Sequence, residues 1–145
     1  MTRRPSHLLF VCVENSCRSQ MAEGLARTLG GERVVACSAG SRPSGRVDPR
    51  AVRLMAERGV DLSHQLSKGL AELPAGLVWD CVVTMGCGDA CAGLPARRRE
   101  DWDLTDPKDL DAAGFRAVCD SIESRVRELI ERIARPAGTA PEQEP

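Results

Sequence analysis

Residues Leu8 to Gly24, LLFVCVENSCRSQMAEG, read as a strand, an anion-binding loop and a helix in direct succession. The apolar run Leu8 to Val11 ends in Cys12. Val13, Glu14, Asn15, Ser16 and Cys17 carry the chain to Arg18, and an amphipathic pattern starts near Ser19. The loop has the form Cys-x5-Arg-Ser. At a strand-to-helix turn, the N–H groups of the loop and of the first helical turn point into one concavity, where the helix dipole adds partial positive charge. A tetrahedral oxyanion fits such a concavity, and residues Val13 to Ser19 are its expected cradle. Cys12, at the loop entrance, faces those donors and is the candidate nucleophile as a thiolate. Arg18 offers a planar fork to two oxygens of the anion, and Ser19 can hydrogen-bond the sulfur. The plainer alternative, a buried strand-end cysteine and a solvated arginine, is outweighed because residue types, spacing and context coincide.

The remaining chain continues the alternation. Met21, Ala22, Leu25, Ala26 and Leu29 recur at helical spacing up to Gly30-Gly31, and Val34 to Cys37 reads as a short buried strand. Asp48-Pro49 starts a second helix that stops at Gly59. Leu77 to Met85 is a near-continuous apolar run, as in a strand buried on both faces of a parallel sheet. A basic turn, Arg97 to Arg99, precedes an expected fourth strand at Asp101 to Leu104, and Thr105-Asp106-Pro107 forms a loop. Phe115 to Ile133 carries the spacing of a long amphipathic helix. The pattern predicts an α/β, three-layer fold with a four-stranded parallel sheet and helices on both faces. Ligands then bind beyond the C-terminal strand ends, where Cys12, the segment from Cys87 and Asp106 converge. One domain is expected over residues 1–135, with a polar, proline-rich and disordered tail over 136–145.

The balance of 20 basic against 21 acidic residues leaves no broad nucleic-acid footprint. No apolar run reaches the length of a membrane span and none resembles a signal peptide, so a cytoplasmic protein is expected. Seven cysteines is a high count, but a reducing compartment disfavours a disulfide framework, and the odd number argues against a fully paired one. Cys87 and Cys91 lie four residues apart, and a helical turn would bring them within disulfide reach. Two alternatives stand beside a redox pair. Zinc would have to use Cys81, Cys87 and Cys91 without the usual close ligand pairs, and two inert thiols are also possible. Cys37, Cys81 and Cys119 fall on apolar faces and read as core, and Cys17 reads as packing. Asp106, before a proline in a loop, is placed to exchange a proton with a leaving oxygen.

With ENSCRSQMAEG at Glu14 to Gly24, SAGS at Ser38 to Ser41, VTMGCGDAC at Val83 to Cys91 and DWDLTDP at Asp101 to Pro107, the chain resembles the low-molecular-weight tyrosine phosphatase superfamily. Within it the chain is most similar to arsenate reductases that work with thioredoxin. The resemblance implies a relay. Cys12 attacks arsenate held by the loop and Arg18, Asp106 protonates the departing oxygen, and Cys87 and then Cys91 carry the disulfide outward to a reductant. Phosphate is the competing anion, and the implied reductant is thioredoxin or a low-molecular-weight thiol such as mycothiol. Well-known thioredoxin-linked members have more than three residues between the last two cysteines, so a smaller looping-out motion is implied here. Some members bind potassium near the loop. Asn15, Glu23 and Ser38 match three of its ligands, but Lys68 stands where an acid is needed, so no metal and no cofactor is expected. The implied protein is a monomer without nucleic-acid or membrane partners.

Two other functions compete with the reductase. A phosphatase would use Cys12, Arg18 and Asp106 alone. Its aryl-phosphate site is normally walled by aromatic side chains, whereas this chain has no tyrosine and only Trp102 near Asp106. A non-catalytic oxyanion-binding or redox-sensing module would bind the anion and turn over nothing.

Overall fold

The computed structural model describes residues 4–86 and 93–134. Four parallel strands form one sheet in the order β2-β1-β3-β4. They are β1 (Ser6–Cys12), β2 (Val34–Gly40), β3 (Cys81–Met85) and β4 (Arg99–Asp101). Among the described residues three α-helices accompany them: α1 (Arg18–Gly30), α2 (Pro49–Glu57) and α3 (Ala112–Ala134). β1 is central, and Leu8, Leu9, Phe10 and Val11 are all fully buried because both faces of the sheet are covered. Leu8, Phe10 and Cys12 face a core built with Met21, Leu25, Met55, Ile122 and Leu129 from the three helices. Leu9 and Val11 face the opposite side, where Trp79, Leu70, Leu73 and Leu94 cover the sheet.

Three strands have boundaries that differ from the sequence expectation. β3 starts at Cys81, not Leu77. Leu77 and Trp79 are apolar because they cover the second face of the sheet, Val78 is exposed, and Trp79 touches Ala96 through one isolated bridge. β4 spans Arg99–Asp101, not Asp101 to Leu104, and pairs with Val82 to Thr84. As an edge strand of charged residues it has no apolar signature, so Arg99 belongs to the ladder and not to a turn. β2 also runs three residues past Cys37, which brings Ser38 and Gly40 up to the loop after β1. The expected tail, 136–145, lies outside the described residues. Among the described residues no helix is long and apolar enough to cross a membrane.

The sheet order places neighbours on either side of β1. Cys12, its last residue, is flanked by Gly40 of β2 and Met85 of β3. The crevice beyond these strand ends is where an α/β sheet presents its ligand site.

Candidate active site

The loop after β1 is held open from outside. Its carbonyls are all engaged. Those of Cys12, Val13, Glu14 and Ser16 accept from the N–H groups of Ser41, Arg42, Ser44 and Asp48 at 2.8–3.3 Å, and that of Asn15 accepts from Gln20 Nε2 at 3.1 Å. In a trans peptide the N–H points opposite to the C=O, so the amides of residues 13–17 turn toward the inner side of the loop. The turn passes through Asn15, whose φ of +50° is a left-handed value that asparagine tolerates. Asn15 is fully buried and its amide is saturated. Nδ2 donates to Ser19 Oγ at 2.8 Å and Ser38 Oγ at 2.9 Å, while Oδ1 accepts from Gln20 Nε2 and the Lys68 N–H, each at 2.9 Å.

That amide sets proton directions along a chain that ends at the sulfur. Ser19 accepts from Asn15, which leaves its own hydrogen for Cys12 Sγ, 2.9 Å away. On the other side Ser38 accepts from Asn15 and donates to Glu23 Oε1 at 2.5 Å. Burial pushes the other described thiols up: Cys81 to about 12, Cys119 to about 11, and Cys37 in the same direction. Cys81 and Cys119 are buried as expected of core cysteines, while Cys37 is only half-buried. Cys17, also on the loop, is raised by burial and by the carboxylate of Asp48, to which its thiol donates at 3.2 Å.

Cys12, Glu14, Ser16, Cys17 and Arg18 share a cleft of about 490 Å³ with Ser44, Arg46, Asp48, Arg50, Asp106 and Lys108. Arg18 is almost buried. Nη1 donates to Leu104 O at 3.1 Å, and Nη2 lies 3.7 Å from Asp106 Oδ2. Gly86, at φ +91°, lets the guanidinium lie close, since a Cβ there would stand 3.2 Å from Nη1. Asp106 is half-exposed and starts the 3-10 turn Pro107–Asp109, its Oδ1 accepting from the Lys108 N–H at 3.0 Å. The structure therefore brings together Cys12, Arg18, Asp106 and the loop. Cys87 and Cys91 lie outside the described residues.

Trp102 does not wall this cleft. It is buried against Phe10, with ring centroids 5.9 Å apart, and its Nε1 donates to Glu100. Among the described residues the cleft is lined by charged and small polar side chains and carries no aromatic ring. Sequence reasoning did not identify Gln20, Ser44, Arg46, Arg50 or Lys108 as site residues. Only Arg50 and Lys108 carried a faint signal, each directly following an Asp-Pro start.

The donor set matched to potassium does not fit a cation here. Asn15 Oδ1 is filled, Ser38 and Glu23 are bonded to each other, and Lys68 Nζ lies 4.0 Å from Glu23 Oε1, so an ammonium already supplies the positive charge.

Gly40 is where β2 presses on the loop. A Cβ there would stand 2.6 Å from Val13 O and 2.9 Å from Asn15 N. Gly40→Ala is expected to displace the loop, cost about 1–3 kcal/mol of stability and weaken phosphate protection of Cys12 against alkylation. Chemical denaturation and timed alkylation check this, and a variant unchanged in both would refute the packing argument.

The family profile described as low molecular weight phosphotyrosine protein phosphatase matches residues 7–138. The glutaredoxin arsenate reductase of Synechocystis sp. is 40% identical over 133 residues, covering 88% of this chain and 98% of the relative. A solved arsenate reductase in its phosphate-binding state superposes with a TM-score of 0.79 at 37% identity, over 89% of this chain and 99% of the other. A thioredoxin-dependent arsenate reductase of Corynebacterium glutamicum gives a TM-score of 0.74 at 32% identity, covering 92% of this chain and 64% of the other.

Proposed function

The chain belongs to the low molecular weight phosphotyrosine protein phosphatase family, among its arsenate reductases, and we propose that Cys12, Arg18, Asp106, Cys87 and Cys91 carry its reduction of arsenate to arsenite. The observation that supports this most is the cleft itself. An oxyanion loop, a sulfur 2.9 Å from a hydroxyl donor, an arginine fork and a half-exposed carboxylate meet there, with no aromatic wall for a phosphotyrosine ring among the described residues.

The reaction proceeds in three exchanges. Cys12 thiolate attacks arsenic while the loop amides and Arg18 hold the oxygens, and Asp106 gives a proton to the oxygen that leaves as water. Cys87 thiolate attacks Cys12 sulfur. The S–As electron pair stays on arsenic, which falls from As(V) to As(III) and departs as arsenite, and a Cys12–Cys87 disulfide remains. Cys91 then attacks Cys87, frees Cys12 and leaves a Cys87–Cys91 disulfide. The dithiol of thioredoxin, or a low-molecular-weight thiol, reduces that pair. Residues 1–135 act as one domain in a cytoplasmic monomer, where the reducing environment keeps the three thiols available.

The test supplies arsenate with thioredoxin, thioredoxin reductase and NADPH as the only electron source. Multiple turnovers are expected, lost in Cys87→Ser and Cys91→Ser, while Cys87→Ser keeps any residual hydrolysis of an aryl phosphate. Equal loss of both activities in Cys87→Ser would refute the division of roles. Turnover with a small thiol in place of thioredoxin would reassign the reductant only.

A further inference from the structure

The turn bearing Asp106 follows a three-residue edge strand, and no ladder holds it in place. We propose that Arg50 is a positioning residue that fixes this turn, and with it Asp106, over Cys12. The role rests on the reading of Asp106 as the proton donor given above.

Arg50 grips the turn by its backbone. Nη2 donates to Lys108 O at 2.9 Å and Nη1 reaches Leu110 O at 3.4 Å. The guanidinium is itself held. Asp48 Oδ2 accepts from Nη2 at 2.9 Å, and the guanidinium carbon stands 4.7 Å from the centroid of the Phe115 ring. Asp48 also caps α2, accepting from the Arg50 N–H at 2.8 Å, and it accepts from the Cys17 thiol at 3.2 Å. One carboxylate thus joins the oxyanion loop, the start of α2 and the arginine that holds the acid turn. Two carbonyls and a carboxylate need the planar fork of arginine; a lysine carries one donor point and cannot span them.

The turn has a second tether, Lys108 Nζ to Glu14 Oε2 at 3.0 Å, but Lys108 is exposed and Glu14 half-exposed, and such a pair is screened and weak. Arg18 approaches Asp106 at only 3.7 Å and must turn its donors to the anion during reaction. Arg50 is therefore the fixed hold. Its loss lets the carboxyl drift, and a displacement of about 1 Å in a reacting group can cost about 10²-fold in rate.

The experiment follows single-turnover arsenite release from pre-reduced full-length protein at saturating arsenate, which needs no external reductant. It also measures phosphate protection of Cys12 against alkylation. Arg50→Met and Arg50→Lys are both expected to slow release by about 10-fold or more while changing the protecting phosphate concentration less than about twofold. Arg50→Lys keeps a cation beside Asp48, so its melting temperature should stay near that of the parent although its rate does not recover. If Arg50 acts through Asp106, adding Asp106→Asn to Arg50→Met makes release no slower than Asp106→Asn alone. Losses that multiply in the double variant, or a rate that recovers in Arg50→Lys together with the melting temperature, would overturn the positioning role. So would full speed in Arg50→Met beside a slow Asp106→Asn. Full speed in Asp106→Asn would instead remove the proton-donor reading, and no arsenite from the parent protein would remove the reductase relay.

Discussion

Cys12→Ser abolishes arsenite release, by at least about 10³-fold, while the melting temperature hardly moves. Cys12 is 2% exposed at the end of the central strand, so an oxygen in place of its sulfur keeps the packing. What it loses is the nucleophile. A serine hydroxyl stays un-ionised at neutral pH and attacks arsenic far more slowly than sulfur does. No other described thiol can take over. Cys17 shares the cleft, yet burial and the Asp48 carboxylate hold it protonated, and Cys81 and Cys119 are raised by burial within the core. Arsenite measured in a single turnover should fall to background, and rapid, phosphate-protected alkylation should disappear with it. Arsenite release that survives the substitution would mean that another group attacks arsenate.

Arg18→Lys lowers kcat/KM for arsenate by about 10²- to 10³-fold and raises the phosphate concentration needed to protect Cys12. Arg18 is 7% exposed and works in two directions. Nη1 is anchored to Leu104 O at 3.1 Å, and the rest of the fork faces the cleft, 3.7 Å from Asp106. An ammonium that replaces it either keeps the carbonyl or serves the anion, and it cannot present two parallel donors to one tetrahedral group. Because the anion gains charge density on its leaving oxygen as the bond breaks, the loss falls on the transition state as well as on binding. Steady-state kinetics with arsenate, together with phosphate protection, separate the two contributions. An unchanged phosphate affinity would show that the amides alone hold the anion.

The same contrast between local and distant contacts explains where sequence reading succeeded. The Asp48-Pro49 helix start is visible because an N-cap acts within two residues, and the structure has Asp48 accepting from the Arg50 N–H with proline at the first helical position. The apolar run Leu8 to Val11 of β1 is visible because all four of its side chains are fully buried. β4 starts two residues and ends three residues before the strand expected from sequence, because Arg99, Glu100 and Asp101 form an edge whose pairing leaves no apolar trace. Leu77 to Asp80 carries the same apolar signature as a strand, because an apolar run does not distinguish a strand from a segment lying across a sheet.

The sequence by itself determined the loop after β1 and the placing of Cys12 and Arg18 at its two ends. A strand end, a short loop with Asn15 at its turn and a helix start are contiguous, so their amides, dipole, sulfur and arginine are brought together by local chain geometry. Only the tertiary structure decided what completes them. The segment after β2 turns the loop carbonyls outward, and Ser38 and Lys68 close the network behind Asn15. Arg50 reaches the acid turn across 58 residues, Lys108 reaches Glu14 across 94, and Trp102 turns into the core and leaves the cleft to charged groups. These contacts depend on β1 lying between β2 and β3, and no spacing along the chain encodes which distant side chains that order makes neighbours.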